Sequence, residues 1–390
     1  MEEPPYKKSN IFSFWFDIAY IYNMKKLLVL LLFIPHLVLS QNKVFDFNEF
    51  DKFSEEYVNN DEPGIIYNIY SNTKNINWSK AFGINDVRIN DSLNKFGQFR
   101  IASVTKTFVA ASVLRLWEEK KILLDESISK YISNEHQNIL IEGGYNPDII
   151  TVRHLLNHSS GMYDHTNHPN FFKKIYDNPD HKWTRTEQIK SCIEWGNPIG
   201  SVGNQFKYSD TGYVILGGII ENITKSSLDN AIKNLLRFEQ LNINDTWFED
   251  ERDDKRIHQY FRNGKDAYGI DPSIDYFGGG GLISTAEDIS RFFYLLFNNK
   301  VFNKESTLKE MLKKYKYKSK ASMDYSLGIW EIELNGLKFY THSGFWGTQV
   351  VYSPKYDISF SVNYSKGWSG SNNAPLIHKI FDFIENQTKP

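Results

Sequence analysis

Cysteine is nearly absent: Cys192 is the one thiol in a chain of 390 residues. An intrachain disulfide is therefore impossible, and so is a zinc site built from several thiolates. Lys190-Ser191-Cys192-Ile193-Glu194-Trp195 reads as part of an amphipathic helix, so the thiol is expected to be buried and structural rather than an activated nucleophile. An excess charge of one sign is missing too. The 45 basic and 47 acidic side chains leave a formal charge of −2, which gives no electrostatic footprint for nucleic acid. Internal repeats and low-complexity tracts are not found. What is present is core material: 41% hydrophobic residues with 24% charged excludes disorder, collagen and coiled coil as descriptions of the whole chain. The length suits two domains or one large two-lobed domain.

The N-terminus carries an address. Met24-Lys25-Lys26 supplies a short positive region, and Leu27 to Leu39 is apolar apart from Pro35 and His36. Ser40-Gln41 then offers a small residue at a cleavage point. This is signal-peptide anatomy, too short and wrongly flanked for a membrane span. Met24 is read as the true start and residues 1–23 as an upstream extension. The rival reading, an uncleaved signal anchor, is the only membrane contact the sequence offers. No cysteine stands near the cleavage point to anchor a lipid. Export of a protein with one cysteine fits a bacterial periplasm or exterior.

Residues from about 41 to 60 are polar and acidic and predict a short helix. Gly64 to Tyr70 and Trp78 to Gly83 read as two strands of a hairpin around Ser71-Asn72-Thr73-Lys74. Phe108 to Trp117 is apolar on every side, which predicts a buried helix, with Glu118 and Glu119 as its solvated end. Thr151 and Thr285 stand as N-caps of two later helices. Ser326 to Ile332, Leu337 to His342, Gln349 to Ser353 and Ile358 to Asn363 read as strands, and Ala374 to Glu385 as a closing helix. The expectation is an α+β fold, an α/β sandwich. One antiparallel sheet is assembled from both chain ends, flanked by helices, and an all-helical insert lies between. In domain terms, residues 1–40 are extension and signal peptide. Residues 41–390 form a single domain, with an α/β lobe (about 60–120 and 300–390) and a helical lobe (about 120–300).

Ser103-Val104-Thr105-Lys106 opens the apolar helix. Residues three apart on a helix share a face, so hydroxyl and amine can meet. A serine hydroxyl is a poor nucleophile until a base takes its proton, and a partly desolvated lysine can be that base or polarise one. The helix N-terminus adds free N–H groups and a positive field.

Arg100-Ile101-Ala102-Ser103-Val104-Thr105-Lys106-Thr107-Phe108 resembles the nucleophile segment of the serine β-lactamase and penicillin-binding superfamily, in its class C β-lactamase, DD-peptidase and esterase branch. Other stretches agree in the expected order. Ile150-Thr151-Val152-Arg153-His154-Leu155-Leu156-Asn157-His158-Ser159-Ser160-Gly161-Met162 is similar to that branch's strongest fingerprint. Phe206-Lys207-Tyr208-Ser209-Asp210-Thr211-Gly212-Tyr213 looks like its tyrosine motif, Gly280 to Asp288 like its glycine-to-helix segment, and His342-Ser343-Gly344 stands where it has Lys/His-Thr/Ser-Gly. The likeness runs from about residue 60 to 385.

The resemblance implies a β-lactamase/transpeptidase-like fold and a serine hydrolase. Ser103 would be acylated by a small-molecule or peptide substrate with a carbonyl centre, whether amide, ester or β-lactam. Lys106 would hold and polarise Ser103. Tyr208 would be the general base, favoured as phenolate by the neighbouring ammonium, and the N–H groups of Ser103 and Phe345 would form an oxyanion hole. Asp210, His342, Ser343 and Gly344 would bind or support substrate, Gly344 by letting it approach closely. No cofactor and no metal are implied.

Two departures from the branch's pattern carry information. Asp210 stands where Asn is common, and a carboxylate there can pair with Lys106 and keep it charged. His342 replaces the lysine of true β-lactamases and is mostly neutral at pH 7, which removes a cation for a substrate carboxylate. The readings rank as D-stereospecific peptidase or carboxypeptidase, then carboxylesterase, then β-lactamase. A penicillin-binding sensor that acylates without turnover is the alternative. His154, His158, His165 and His168 cluster in sequence, but the resemblance makes the first two supports behind the site rather than metal ligands. Gly278 to Gly281 lacks the Lys-Ser/Thr of a phosphate loop and is read as close packing near the cleft. Asp164 and Tyr163 are expected near the cleft, without a role.

Overall fold

The computed structural model describes residues 45–56, 58, 63–249, 256–317, 324–366 and 374–388. Residues 1–40, read from the sequence as an upstream extension and a signal peptide, lie outside them. In chain order the elements are α1 (Asn48–Glu56), β1 (Ile65–Ser71), β2 (Ile76–Phe82), β3 (Phe99–Arg100) and α2 (Thr105–Glu118). Then follow α3 (Asn134–Glu142), α4 (Val152–Leu156), α5 (Pro169–Asp177), α6 (Arg185–Trp195), α7 (Asp210–Thr224) and α8 (Leu228–Leu235). The chain continues through β4 (Trp247–Phe248), β5 (Leu282–Ser284), α9 (Ala286–Phe297) and α10 (Glu305–Met311). It ends with β6 (Asp324–Tyr325), β7 (Trp330–Leu334), β8 (Leu337–Ser343), β9 (Thr348–Ser353), β10 (Ile358–Tyr364) and α11 (Ala374–Thr388).

The β-branched and aromatic run Ile65-Ile66-Tyr67-Asn68-Ile69-Tyr70 becomes a strand buried along its whole length. It needs cover on both faces. Tyr67 turns to α1, where Phe50 meets its ring edge-on and Asp51 accepts its hydroxyl. On the opposite face α9 lies across β1 and β10, and Ser290 donates to Ser361 Oγ at 2.8 Å. The sheet has seven strands in the order β2-β1-β10-β9-β8-β7-β6, every pair antiparallel. The first and last described strands thus pair side by side within it, with Ile65 opposite Tyr364 and Tyr70 opposite Ser359. This is the mixed architecture the sequence predicts.

α2 runs beneath this layer with its residues from Thr105 to Leu116 buried, and Phe108 stacks on Phe292 of α9 at 3.9 Å between centroids. Thr285 caps α9 by accepting the N–H of Asp288 at 3.2 Å. Thr151 caps α4 in a reciprocal pair with His154, whose Nδ1 accepts the Thr151 N–H at 3.1 Å.

Three local expectations are corrected. The strand predicted over Ser326 to Ile332 is split. Residues 326–329 form the turn of a β6–β7 hairpin: Tyr325 pairs with Trp330, the Ser326 N–H donates to the Ile329 carbonyl at 2.9 Å, and Gly328 supplies the φ +78° that the turn requires. The middle of the chain also contributes two short strands, β4 and β5, which pair with β3 in a sheet of their own. Glu118 is not solvated. Its carboxylate accepts the N–H groups of Asn303 and Lys304, at 3.1 and 3.0 Å to Oε1, and the Thr307 hydroxyl at 2.6 Å, so it caps α10 from a distant part of the chain. No helix of the described residues is long and apolar enough to cross a membrane.

Candidate active site

β3 leads into the nucleophile segment. Arg100 is held behind it by Glu249, through Nε at 2.6 Å and a terminal nitrogen at 2.9 Å. Ala102 then takes φ +45°, the left-handed region in which a residue with a Cβ is strained. The turn Ala102–Val104 presents Ser103, and α2 begins at Thr105. On the next turn Lys106 is fully buried, and its Nζ donates to Ser103 Oγ at 3.0 Å. The i, i+3 pairing predicted from the sequence is what the helix start produces.

Two further partners surround the ammonium. Asp210 forms an ion pair with it, and the carbonyl of Gly279 accepts from it at 2.5 Å. That carbonyl was not foreseen. It acts through the backbone, so no side-chain pattern announces it. The glycine run makes it possible: Gly278 adopts φ +118° against the Tyr213 carbonyl, so the run lies flat on α7 and aims Gly279 at Lys106.

Tyr208 stands just before α7 with its hydroxyl in hydrogen-bond reach of both Ser103 and Lys106, and Lys106 Nζ lies 5.0 Å from its ring centroid. His158 stacks on the Tyr208 ring at 4.1 Å and accepts the Ser209 N–H through Nδ1 at 3.1 Å. Burial pulls Lys106 toward losing its proton, but Asp210 and Tyr208 outweigh it and hold its pKa above the ordinary lysine value. For Tyr208 burial wins: despite the pull of Lys106, desolvation, helped by Asp210, pushes the phenol up to about 12. The resting site is thus an ammonium–carboxylate pair beside a neutral phenol. This corrects the expectation that the ammonium makes phenolate the favoured form at rest.

The other walls carry the remaining residues. His342 and Ser343 end β8. The Ser343 carbonyl engages His342 Nδ1 at 2.9 Å, and Tyr325 lies against Nε2 at 3.3 Å. Burial, with repulsion from Lys106, lowers the His342 pKa to about 3, so the ring is neutral. Gly344 plays a different part from the one expected. A Cβ there would collide with the carbonyl oxygen of Ile101, so its bare Cα lets the β8–β9 turn seat on the nucleophile segment itself. Phe345 tops that turn, 46% exposed, with its ring against Phe172 and Trp346.

The histidines do not gather. His154 caps α4, His165 meets Thr211 through Nδ1 at 2.9 Å, and His168 stacks on Trp195. Cys192 is buried, and burial raises its thiol to about 11.

Two carboxylates near the site have no role in the sequence reading: Asp164, which it places near the cleft, and Asp275, which it does not single out. Asp275 approaches the glycine run. Asp164 accepts the N–H of Asp210, at the start of α7, at 3.3 Å, and the N–H and hydroxyl of Thr166 at 3.1 and 2.9 Å. Burial, then repulsion from Asp210, raises the Asp164 pKa to about 7. The unfolded chain releases this proton near pH 4 and the folded chain keeps it up to about 7, so stability falls as pH rises across that window. Asp164→Asn should therefore gain about 2 kcal/mol or more relative to wild type on going from pH 4.5 to pH 8. Urea melts at the two pH values measure this, and an equal stability difference at both would refute it.

Comparison with known proteins places this geometry. The Beta-lactamase family profile matches residues 51–380. Protein flp of Staphylococcus aureus (strain MRSA252) is 30% identical over 173 residues, 44% of this chain and 32% of flp, so the match spans about a third of that relative. The teichoic acid D-alanine hydrolase of Staphylococcus aureus (strain NCTC 8325 / PS 47) is 26% identical over 330 residues, 83% of this chain and 74% of that protein. Among solved structures, the D-amino acid amidase of Ochrobactrum anthropi SV3 superposes with a TM-score of 0.74 at 21% identity, covering 88% of this chain and 99% of the amidase. At that identity the likeness establishes a shared fold.

Proposed function

Since the chain belongs to the beta-lactamase family, we propose that it is a serine hydrolase working through an acyl-enzyme on Ser103, with D-aminoacyl amides or esters as substrates. The observation that carries the reading is the convergence of Ser103 Oγ, Lys106 Nζ and the Tyr208 hydroxyl, from two distant segments, within hydrogen-bond reach. In the proposed reaction the fraction of Tyr208 that has released its phenol proton to solvent acts as base: Ser103 Oγ attacks the substrate carbonyl carbon and its proton passes to the phenolate oxygen of Tyr208. Lys106 cannot take that proton in the resting state, because an ammonium has three N–H donors and no lone pair. Its charge favours the phenolate form of Tyr208 that takes the proton. The tetrahedral oxyanion is received by the N–H groups of Ser103 and Phe345. Tyr208 returns its proton to the departing nitrogen or oxygen, and the bond to the leaving group breaks. Water then attacks the ester with Tyr208 again as base, and Ser103 regains its proton.

The substrate class draws support from two sides. Two of the relatives are named for D-alanine and D-amino acid amide chemistry. A neutral His342 offers no cation for the free carboxylate of a penicillin or a peptide C-terminus. An ester or amide acyl donor needs no such cation, so this favours amidase or esterase action over carboxypeptidase action. We further propose export, on residues 24–41 alone. The test of mechanism is intact-mass spectrometry after exposure to a fluorophosphonate. The expected result is one adduct on Ser103, absent from Ser103→Ala. No adduct on the wild-type protein, or an equal adduct on the variant, would sink the reading.

A further inference from the structure

Asp275 carries a charge that the proposed chemistry leaves unused. It lies in the loop before the glycine run and is half-buried. Trp346 donates its indole N–H to Oδ2 at 3.1 Å, and among the described residues the carboxylate forms no ion pair. The nearby cations are engaged elsewhere: Lys106 with Asp210, Arg100 with Glu249. Burial, with Asp210 beside it, raises the Asp275 pKa to about 6, so the group is still mostly ionised at neutral pH and above. A half-buried carboxylate with one neutral donor and no counter-ion is a costly arrangement unless something else brings the cation.

Its position indicates what that is. A Cβ on Gly280 would lie 2.8 Å from Asp275 Cγ, and the neighbouring Gly279 holds Lys106 Nζ through its carbonyl. On the other side, Trp346 directly follows Phe345, whose N–H is assigned to the oxyanion. The carboxylate therefore stands between the lysine cradle and the β8–β9 turn, the two walls that would hold an acyl group. His158, His165 and His342, the histidines beside the site, are all kept neutral by burial. The site is thus arranged for a positive ligand and against a negative one.

We propose that Asp275 receives the free ammonium of the acyl donor, so that the site selects α-amino acyl amides and esters over donors that lack the amine. This rests on the acyl-enzyme reading and adds a specificity residue to it. The probes are D-alaninamide and propionamide, which share a carbon skeleton and differ by the amine. Each is used to protect Ser103 from fluorophosphonate labelling, read by intact mass. In the wild-type protein D-alaninamide should protect at concentrations about tenfold below those propionamide needs, the size of one charge-assisted bond. Asp275→Asn keeps an acceptor for Trp346 and should lose that ratio, while Asp275→Glu should recover part of it. Equal protection by the two amides in wild type, or a ratio that survives Asp275→Asn, overturns the proposal. The wild-type comparison decides alone should a variant not fold. A wild-type Ser103 that never labels is a different result: it removes the acyl-enzyme reading and this proposal with it.

Discussion

Replacing Tyr208 by phenylalanine is expected to slow acylation of Ser103 by about 10²- to 10⁴-fold, the usual contribution of a positioned proton acceptor. Stacking on His158 needs only the ring, so the fold should hold, and a thermal melt near that of wild type would show it. The sharper readout is pH. A base works in its deprotonated form, and Tyr208 is pushed up to about 12, so the ionised fraction rises tenfold per unit throughout the neutral range. Wild-type acylation should climb with pH and reach no plateau by about pH 10. Tyr208→Phe should flatten that limb. A limb that persists in the variant would assign the base elsewhere. Asp210→Asn adds a second sign. Asp210 is one of the groups raising the phenol, so its neutralisation should move the limb toward lower pH without abolishing acylation.

Lys106→Met should be the most damaging single change. It removes the polarising charge beside Tyr208 and Ser103, and it strands Asp210 in a partly buried position with its cation gone. Breaking a buried pair from one side costs about 3–5 kcal/mol, and the side chain of Asp210 retains some solvent access, so the lower end is expected. Acylation should fall by about 10³-fold or more. The double variant Lys106→Met with Asp210→Asn separates the two effects. Stability should largely return, because no unpaired charge remains, whereas acylation should not. Urea unfolding and fluorophosphonate labelling rates on the four proteins complete the cycle. A double variant as unstable as Lys106→Met alone would mean that the lysine stabilises by packing rather than by charge.

The parts of this molecule that were legible in its sequence are those where the local pattern and the fold agree. Ile65 to Tyr70, the apolar helix from Phe108, the caps at Thr151 and Thr285 and the pairing of Ser103 with Lys106 all follow from neighbours within a few residues. What stayed hidden depends on residues far apart. Glu118 reads as a solvated helix end until the backbone of Asn303 and Lys304 arrives to use it. Gly279 contributes a carbonyl, which every residue possesses. The ammonium's pull on Tyr208 was read correctly in sign, but the stronger opposing effect of burial is a property of the assembled core. Asp275 looks like an ordinary loop acid until Trp346 and the glycine run close around it. Gly344 was read as room for a substrate, and the space is taken by the chain's own Ile101.

One interior ladder of the large sheet joins β1 to β10, the first and last strands of the described residues. A ribosome delivers β10 long after β1, so the emerging chain cannot complete its sheet until that strand has appeared. Closing so long a loop before any reward from pairing places the protein among slow folders, on the scale of milliseconds to seconds or longer. If the proposed export holds, the delay has a use: a sheet that waits for β10 leaves the chain unlocked while it is threaded through a translocation pore.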